Sequence, residues 1–362
     1  MQFLKQEEIN ERYITNSDIE QVLKNLDPAV FKTSVAGKSV QQKNIYRIDF
    51  GTGKFKVLLW SQMHGNETTT TKAVINLLKK INAEEYLHWL QFFSFTFLPI
   101  LNPDGAEMFT RVNANEVDLN RDSANLSQPE SKLLRTVFEE VQPNLALNMH
   151  DQRSIFSAGS GHNPATLSFL APAFNESCDL NETRTFAMQL IALMANSLKD
   201  IACNTIGRFD DSFNINCIGD MFTHLNVPTI LFEAGFAVND YQRKVAQNLV
   251  EISLTKLFNA IISKEYEKFT VADYLKIPEN EKNFVDLLIE NYTTTNTDFE
   301  KFPQLPVVFK EKFVKGSLVL TPEIDWDSAP EFKFAHLVLD ANQVLINTQK
   351  DVENLLEKVT IL

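Results

Sequence analysis

Cysteine is scarce in this chain, which has only Cys178, Cys203 and Cys217 among 362 residues. Their number is odd and no pair has C-x-x-C spacing, which excludes a disulfide framework and an all-cysteine zinc site. We therefore expect three reduced thiols in a reducing compartment. Glycine and proline are also few, at 11 and 13 residues, so the sequence is neither a low-complexity linker nor collagen-like.

Positive charge is in deficit, because 34 lysines and arginines face 47 aspartates and glutamates and leave a formal net charge of -13. Such a surface repels phosphate backbones and anionic lipids, so neither nucleic acid nor a membrane is an expected partner. The uncharged stretch at 86–103 carries polar side chains and two prolines, which predicts a buried strand at 92–100 rather than a membrane span. The charged N-terminus lacks the apolar segment of a secretory signal, and we expect a cytoplasmic location.

Hydrophobic patterning predicts strands that alternate with helices over most of the chain, after a polar, helical segment at residues 1–40. The predicted strands cover 44–50, 56–62, 92–100, 145–149 and 229–233. The predicted helices cover 68–81, 127–141, 182–202 and 241–263. This order is typical of an α/β sheet with helices on both faces.

The pattern changes near residue 265, which divides the chain into a predicted catalytic domain at 1–265 and a small C-terminal domain at 270–362. The second region predicts an α+β unit with strands at 307–313, 317–320 and 334–346, followed by a helix. It has one histidine, His336, and no metal-ligand spacing, so we assign it no chemistry.

Polar, chemically capable residues follow three of the predicted strands, as HGNE at 64–67, MHD at 149–151 and FEAG at 232–235. Reactive groups in an α/β sheet gather at the carboxyl ends of its strands. His64, Glu67 and His150 together are the His₂Glu set of a catalytic zinc that keeps an open position for water. Such a zinc lowers the pKa of its water toward ~7 and polarises a bound carbonyl.

Between these ligands lie three further segments, NPDG at 102–105, R-x-N at 111–113 and VDLNRD at 117–122. Arginine is suited to bidentate capture of a carboxylate. As an ordered series over residues 45–262, the motifs resemble those of the M14 family of zinc carboxypeptidases. The resemblance implies a mixed eight-stranded sheet flanked by helices.

The same resemblance implies a role for each matching residue. His64, Glu67 and His150 would bind one zinc ion per chain, and Asp118 would orient the ring of His64. The remaining residues would act on the substrate. These are Glu233 as general base, Arg111 as oxyanion partner, and Asn120 with Arg121 as the clamp on the C-terminal carboxylate.

The preference for one C-terminal side chain over another stays open. No tyrosine occurs at 207–214, where we looked for the family's substrate-capping tyrosine, and Tyr241 downstream is predicted to be a helix residue. Residues 207–221 are predicted to line the pocket behind Arg121, where Asp210 and Asp211 would attract a basic side chain.

Three functions are compatible with these motifs. The first is a metallocarboxypeptidase that hydrolyses the C-terminal bond of a peptide. The second is a zinc amidohydrolase of the succinylglutamate desuccinylase and aspartoacylase type, acting on N-acyl amino acids. The third is a non-catalytic relative that binds peptide ends. The expected partner is a peptide or small amide with a free carboxylate, and the oligomeric state is open.

Overall fold

The structure is a computed structural model that describes residues 12–81, 86–314, 317–326 and 334–358. Its main element is a mixed eight-stranded sheet with strand order β1-β2-β4-β3-β5-β9-β7-β8. The first ten strands are β1 (Phe31–Lys38), β2 (Asn44–Phe50), β3 (Phe55–Ser61), β4 (Phe93–Leu98), β5 (Leu145–Asp151), β6 (Phe156–Ala158), β7 (Leu167–Leu170), β8 (Ile206–Arg208), β9 (Thr229–Ala234) and β10 (Asn280–Lys282).

Helices cover both faces of this sheet, because alternate residues of its central strands are apolar on each side. In β3, Val57 and Leu59 join the core on one face, whereas Leu58 and Trp60 join the core on the other. The helices are α1 (Asn16–Asn25), α2 (Thr69–Lys80), α3 (Leu87–Phe92), α4 (Pro103–Met108), α5 (Pro129–Val141), α6 (Glu182–Leu198), α7 (Ile218–His224), α8 (Lys244–Ser263), α9 (Val271–Leu275) and α10 (Gln349–Lys358). The α/β class with a mixed eight-stranded sheet is confirmed.

Strand direction brings the motif-bearing segments to one edge of the sheet. Strands β4, β3, β5 and β9 run parallel, in that order, so the residues after β3, β5 and β9 meet at the same edge. β5 is buried along its whole length at the centre of the sheet. Within the described residues, no helix is both long enough and apolar enough to span a bilayer.

The prediction of a helical segment at residues 1–40 is wrong in its second half. Helix α1 is present, but Phe31–Lys38 forms the edge strand β1, which pairs antiparallel with β2. Most of this strand is exposed, and its one buried residue, Phe31, packs on Phe50. An edge strand without alternating apolar residues has no period-2 signal, so its sequence resembles a polar helix. Residues 1–11 lie outside the described residues.

Short strands were also missed between residues 150 and 210. Strands β6, β7 and β8 have three or four residues each. A stretch of that length is too short to show a periodicity. β7 joins the main sheet antiparallel to β9 and thereby completes the wall beside Glu233.

A separate four-stranded sheet in the C-terminal region has strand order β13-β12-β11-β14. Its strands are β11 (Phe284–Glu290), β12 (Leu305–Val314), β13 (Ser317–Ile324) and β14 (Phe334–Asp340). Helix α10 packs on it through Val352 and Leu356. The expected small α+β unit is confirmed, although β11 was not predicted. The domain boundary at 265–270 stays a prediction, because β10 pairs with β6 of the preceding region.

Candidate metal centre

The turn that carries His64 and Glu67 connects β3 to α2 and packs closely against the segment at 102–105. A Cβ atom on Gly65 would lie 1.9 Å from the carbonyl carbon of Gly105, so this position has no room for a side chain. Asn102 joins the two segments, because its side chain donates to the Met63 carbonyl at 3.2 Å and accepts from the Gly105 N–H at 2.9 Å. The HGNE and NPDG motifs therefore form one structural unit.

The third candidate ligand, His150, lies at the end of β5 and is followed by Asp151. The Asp151 carboxylate accepts hydrogen bonds from the backbone N–H groups of Thr69 at 2.9 Å and Thr70 at 3.2 Å, at the start of α2. The backbone N–H of Asp151 donates to Oε2 of Glu67 at 3.2 Å. Asp151 thus joins the end of β5 to the turn that carries the other two candidate ligands.

His64, Glu67 and His150 form a buried cluster whose ligand atoms all lie within 4.8 Å of one another. Nδ1 of His64 is 2.8 Å from Oε1 of Glu67, Nδ1 of His150 is 2.6 Å from Oε2, and the two Nδ1 atoms are 3.1 Å apart. Zn²⁺ prefers donors of this kind, namely two imidazole nitrogens and a carboxylate that are close together and buried. The side chains present therefore fit a zinc ion.

Burial and charge act in opposite directions on this cluster. Burial favours the neutral form of Glu67, but the neighbouring His64 and His150 outweigh it and lower the pKa of Glu67 well below its usual range. Burial also lowers the pKa of His150 below its ordinary value. Glu67 as a carboxylate and His150 as a neutral imidazole are the protonation states that a metal ligand requires.

The ring of His64 is oriented from its other side by Asp118. Nε2 of His64 lies 2.9 Å from Oδ1 of Asp118. Arg111 holds that carboxylate in turn, since its Nε donates to Oδ2 of Asp118 at 3.0 Å. Arg111 also reaches the cluster itself, where its Nη1 lies 3.4 Å from Oε1 of Glu67. This connectivity places the Arg111 guanidinium at the edge of the candidate metal site.

Glu233 lies on β9 and lines the same cleft as His64 and Glu67. It is in register with His150 on β5 and with Ser168 on β7. Burial raises the pKa of Glu233 well above its usual range, and the carboxylates of Glu67 and Asp151 raise it further. These surroundings make Glu233 a better proton acceptor than an ordinary carboxylate.

Arg121 and Asn120 also line this cleft. The volume of the cleft is about 390 Å³. The Nη1 of Arg121 donates to the Asn120 carbonyl at 2.7 Å and to Sγ of Cys217 at 3.2 Å. The Asn120 side-chain oxygen accepts from the backbone N–H of Ile218 at 2.9 Å. These contacts connect the predicted carboxylate clamp to the segment just before α7.

Six residues of the predicted segment 207–221 line the cleft, namely Phe209, Asp210, Ser212, Cys217, Gly219 and Asp220. Asp210 lines the cleft, whereas Asp211 forms an ion pair with the buried Arg184. Asp220 lines the cleft and is buried, and burial raises its pKa to about 7 although two backbone N–H groups donate to it. Of the two acids considered for a basic side chain, Asp210 alone remains available.

Phe156 lines the cleft but lies outside the segments that the sequence predicted there. Phe209, Cys217 and Asp220 lie within the predicted segment 207–221, but the sequence did not single them out. The rings of Phe156 and Phe209 pack edge to face at 5.1 Å. Tyr241 is not among the cleft-lining residues, and it precedes α8 instead of lying within it. None of these residues belongs to a recognisable motif, so no sequence signal marked them.

Comparison with known proteins gives one family and several related structures. Residues 18–205, just over half of the chain, match the family model for zinc carboxypeptidases. "Carboxypeptidase 2" of Trichophyton rubrum is 30% identical over 115 residues, which are 31% of this chain and 20% of that protein. The aligned part thus spans about a fifth of the length of this fungal relative.

Solved structures share the fold at low sequence identity. A metallo-carboxypeptidase from Burkholderia cenocepacia superposes with a TM-score of 0.54 at 15% identity, over 70% of each chain. A metallo-carboxypeptidase from Pseudomonas aeruginosa has a TM-score of 0.54 at 16% identity, over 69% of this chain and 70% of that one. At this identity the likeness supports the fold and carries no argument about substrate.

Proposed function

This chain belongs to the zinc carboxypeptidase family, and from that premise we propose that it hydrolyses the C-terminal bond of peptides by a zinc-dependent mechanism. One observation carries the proposal. The buried His64, Glu67 and His150 cluster faces a cleft that is also lined by Glu233, Arg111 and Arg121. A metal site, a base, an oxyanion partner and a carboxylate clamp are the groups that this reaction needs.

His64, Glu67 and His150 would hold the zinc ion, whose chemistry is to acidify water and polarise the scissile carbonyl. Asp118 keeps the His64 ring in the tautomer that leaves Nδ1 free for the metal, because Nε2 of the ring points at its carboxylate. His64 and Glu67, two of the three proposed ligands, lie on the same turn, and hydrogen bonds hold both side chains in place.

Glu233 is the proposed general base. As a carboxylate it takes a proton from the attacking water while the water oxygen bonds to the carbonyl carbon of the substrate. The raised pKa of Glu233 makes it a better proton acceptor than an ordinary carboxylate. It then passes the proton to the nitrogen of the departing amino acid as the carbon–nitrogen bond breaks.

Arg111 is the proposed oxyanion partner. Its guanidinium is held by Asp118 through Nε and Nη2, and Nη1 extends toward Glu67. Half of this side chain is exposed to solvent in the cleft, so it can turn donors toward the carbonyl oxygen as negative charge develops there.

Arg121 and Asn120 are the proposed clamp for the substrate's terminal carboxylate, which makes the enzyme an exopeptidase. Arginine binds carboxylates through two parallel hydrogen bonds. The Pseudomonas aeruginosa relative was solved with (2-guanidinoethylmercapto)succinic acid. We expect a succinic acid of this kind to compete with peptides for the same clamp here.

A hydrolysis assay on the zinc-loaded protein tests the proposal. We expect release of a free C-terminal amino acid from N-blocked dipeptides, and we expect Glu233→Gln to keep zinc but to lower kcat about 100- to 10,000-fold. Asp210→Asn is the matched control, because it also removes a carboxylate from the cleft but leaves the proposed base, Glu233, in place. Full activity in Glu233→Gln would overturn the assignment of the base.

The same assay separates the alternatives. Turnover of N-acyl amino acids without turnover of peptides would favour the amidohydrolase, and zinc binding without any turnover would favour a binding protein. Zinc content per chain, measured by atomic absorption, is expected to be one. The cytoplasmic location stays a prediction, which fractionation of the source cells would test.

A further inference from the structure

Arg153 occupies a junction between the metal cleft and two further cavities. Its side chain is exposed and lines the cleft described above, a second cavity of about 440 Å³ and a third of about 230 Å³. The second and third cavities also share Ile155, Val308 and Lys310. They therefore continue the metal cleft along one side of the C-terminal sheet, and we call this surface the Arg153 groove.

The Arg153 groove does not overlap with the carboxylate clamp. Arg121 and Asn120 line neither the second nor the third cavity. The third cavity instead includes Asn66, between the candidate ligands His64 and Glu67. A peptide whose terminal carboxylate lies at Arg121 would extend its preceding residues toward Arg153.

Two cations of the groove, Arg153 and Lys282, have no carboxylate partner among the described residues, although the chain has a net charge of -13. Within the parts of the chain that the structure describes, no carboxylate lies within 4.0 Å of the cationic groups of Arg153 or Lys282. The acids nearby are engaged elsewhere, since Glu323 contacts Lys312 at 3.0 Å and Glu311 pairs with the buried Arg12.

Two further acids line the groove, and both have partners. Asp286 accepts a hydrogen bond from the backbone N–H of Phe309 at 2.7 Å. Asp325 also makes a polar interaction. Lys310 lies 4.0 Å from Glu323, at the limit of an ion pair, and Glu323 is closer to Lys312. The groove therefore presents cations that a bound anion could reach.

The groove also offers an aromatic surface. Trp326 lines the far end of the groove with 47% of its surface exposed, so an extended ligand can contact it.

We propose that the Arg153 groove binds the residues that precede the scissile bond and selects peptides with acidic side chains there. This inference rests on the proposed function, because it takes the terminal carboxylate to lie at Arg121. It gives the C-terminal region a role, because Lys282, Lys310 and Trp326 would form one wall of the substrate site. Carboxylate side chains match the unpaired cations of Arg153 and Lys282 by charge.

Fluorescence titration tests binding directly, because Trp60 and Trp89 are fully buried and Trp326 is exposed. The probes are N-acetyl-Glu-Glu-Ala-Phe and N-acetyl-Gln-Gln-Ala-Phe, added to the zinc-loaded Glu233→Gln protein at low salt. We expect about tenfold tighter binding of the acidic peptide, an effect that weakens as salt is added. Trp326→Phe should remove the emission change.

Substitutions test whether the preference for the acidic peptide comes from the groove or from the overall charge of the protein. Arg153→Gln and Lys310→Gln should each reduce the preference to about twofold or less. Lys301→Gln is the matched control, because Lys301 is an exposed cation that pairs with Asp298 and lines neither cavity. Equal affinity of the wild-type chain for both peptides, or an equal loss in Lys301→Gln, would overturn the proposal.

Hydrolysis of the same two peptides by the wild-type protein separates this proposal from the proposed function. If both peptides bind equally well and are cleaved at equal kcat/KM, the proposed carboxypeptidase activity is supported and the proposed selectivity of the groove is refuted. If the acidic peptide binds tightly and selectively but is not cleaved, the proposed carboxypeptidase activity is refuted and the proposed selectivity of the groove is supported. A preference in kcat/KM that Arg153→Gln removes supports both.

Discussion

Oδ1 of Asp118 lies 2.9 Å from Nε2 of His64, while the other nitrogen of that ring lies 2.8 Å from Glu67. The imidazole is therefore held between two carboxylates, one of which would share the zinc ion. Burial opposes the charge on Asp118, but His64 and Arg111 outweigh it and hold the pKa of Asp118 well below its usual range. The carboxylate is thus held in its ionised form.

Asp118→Asn tests the orientation of His64. The amide keeps the shape of the side chain but loses its charge, so we expect zinc affinity to fall about 10- to 100-fold. Competition with a chromogenic chelator measures the affinity. The melting temperature of the zinc-free protein serves as the control, and we expect it to match that of the zinc-free wild type. A clearly lower melting temperature would mean that Asp118 acts on the fold rather than on the ligand.

Zinc is expected to stabilise the folded chain. A metal that binds only the folded state at 100 times its Kd adds about 2.7 kcal/mol to the free energy of unfolding. Removal of zinc with a chelator should lower the Tm by several degrees, and return of zinc should restore it. In Glu67→Gln, which removes one proposed ligand, chelation should leave the Tm unchanged. A persistent shift in that variant would place the metal elsewhere.

Arg121→Gln tests the carboxylate clamp. Loss of a charged partner for the terminal carboxylate should lower kcat/KM about 100-fold for a free-acid substrate. A C-terminally amidated substrate should be equally poor for the variant and the wild type, because it lacks the group that Arg121 binds. If the variant loses activity on both substrates in proportion, Arg121 supports the cleft instead of the carboxylate.

Asp220 predicts a dependence of stability on pH. Burial raises its pKa to about 7, above the ordinary carboxyl value of 3.8, so the folded state favours the protonated form. Stability from this group is complete below pH 3.8 and is lost as pH rises through 7. Asp220→Asn stays neutral, so the zinc-free variant should gain Tm over the wild type between pH 5.5 and pH 8.

Asp210→Asn is the control for this experiment. Hydrogen bonds from Ser212 lower the pKa of Asp210, which is the opposite direction. Its substitution should therefore not produce a gain that grows with pH. A gap between Asp220→Asn and the wild type that stays constant from pH 5.5 to pH 8 would show that Asp220 does not titrate in this range.

Gly65→Ala tests the packing of the HGNE turn on the NPDG segment. A Cβ atom at Gly65 would lie 1.9 Å from the Gly105 carbonyl carbon, so the two backbones must separate. We expect a loss of about 2 kcal/mol or more in unfolding free energy, together with weaker zinc binding. Gly161→Ala is the matched control, because its Cβ would meet only Asn163 at 3.9 Å. Equal Tm values for both variants would contradict this account.

The sequence predicted well where the signal is local or ordered along the chain. The buried strands β3 and β5 and the helices α2 and α5 lie close to their predicted positions because their apolar residues recur with a clear period. The ordered motifs marked a set of candidate residues that the fold brings into one cleft. Their catalytic roles stay predictions, which the assays above address.

The sequence predicted poorly where long-range packing decides. Strand β1 resembles a polar helix because it lies exposed at an edge, and β6 to β8 are too short for a pattern. Asp210 and Asp211 are neighbours in the chain, yet the pairing of Asp211 with Arg184 leaves only Asp210 in the cleft. No local signal distinguishes them, since the partner is 27 residues away.

The sequence alone determined which side chains are candidates for catalysis and at which strand ends they lie. Motifs and hydrophobic periodicity can be recognised in residues that are close together in the chain. Only the tertiary structure decided which of them face one another. The convergence of His150 with His64 and Glu67 depends on contacts between residues more than 80 positions apart. Arg153 and Lys310 from the C-terminal sheet likewise line one cavity although they are far apart in the sequence. Such contacts follow from the packing of whole layers, which no short stretch of sequence encodes.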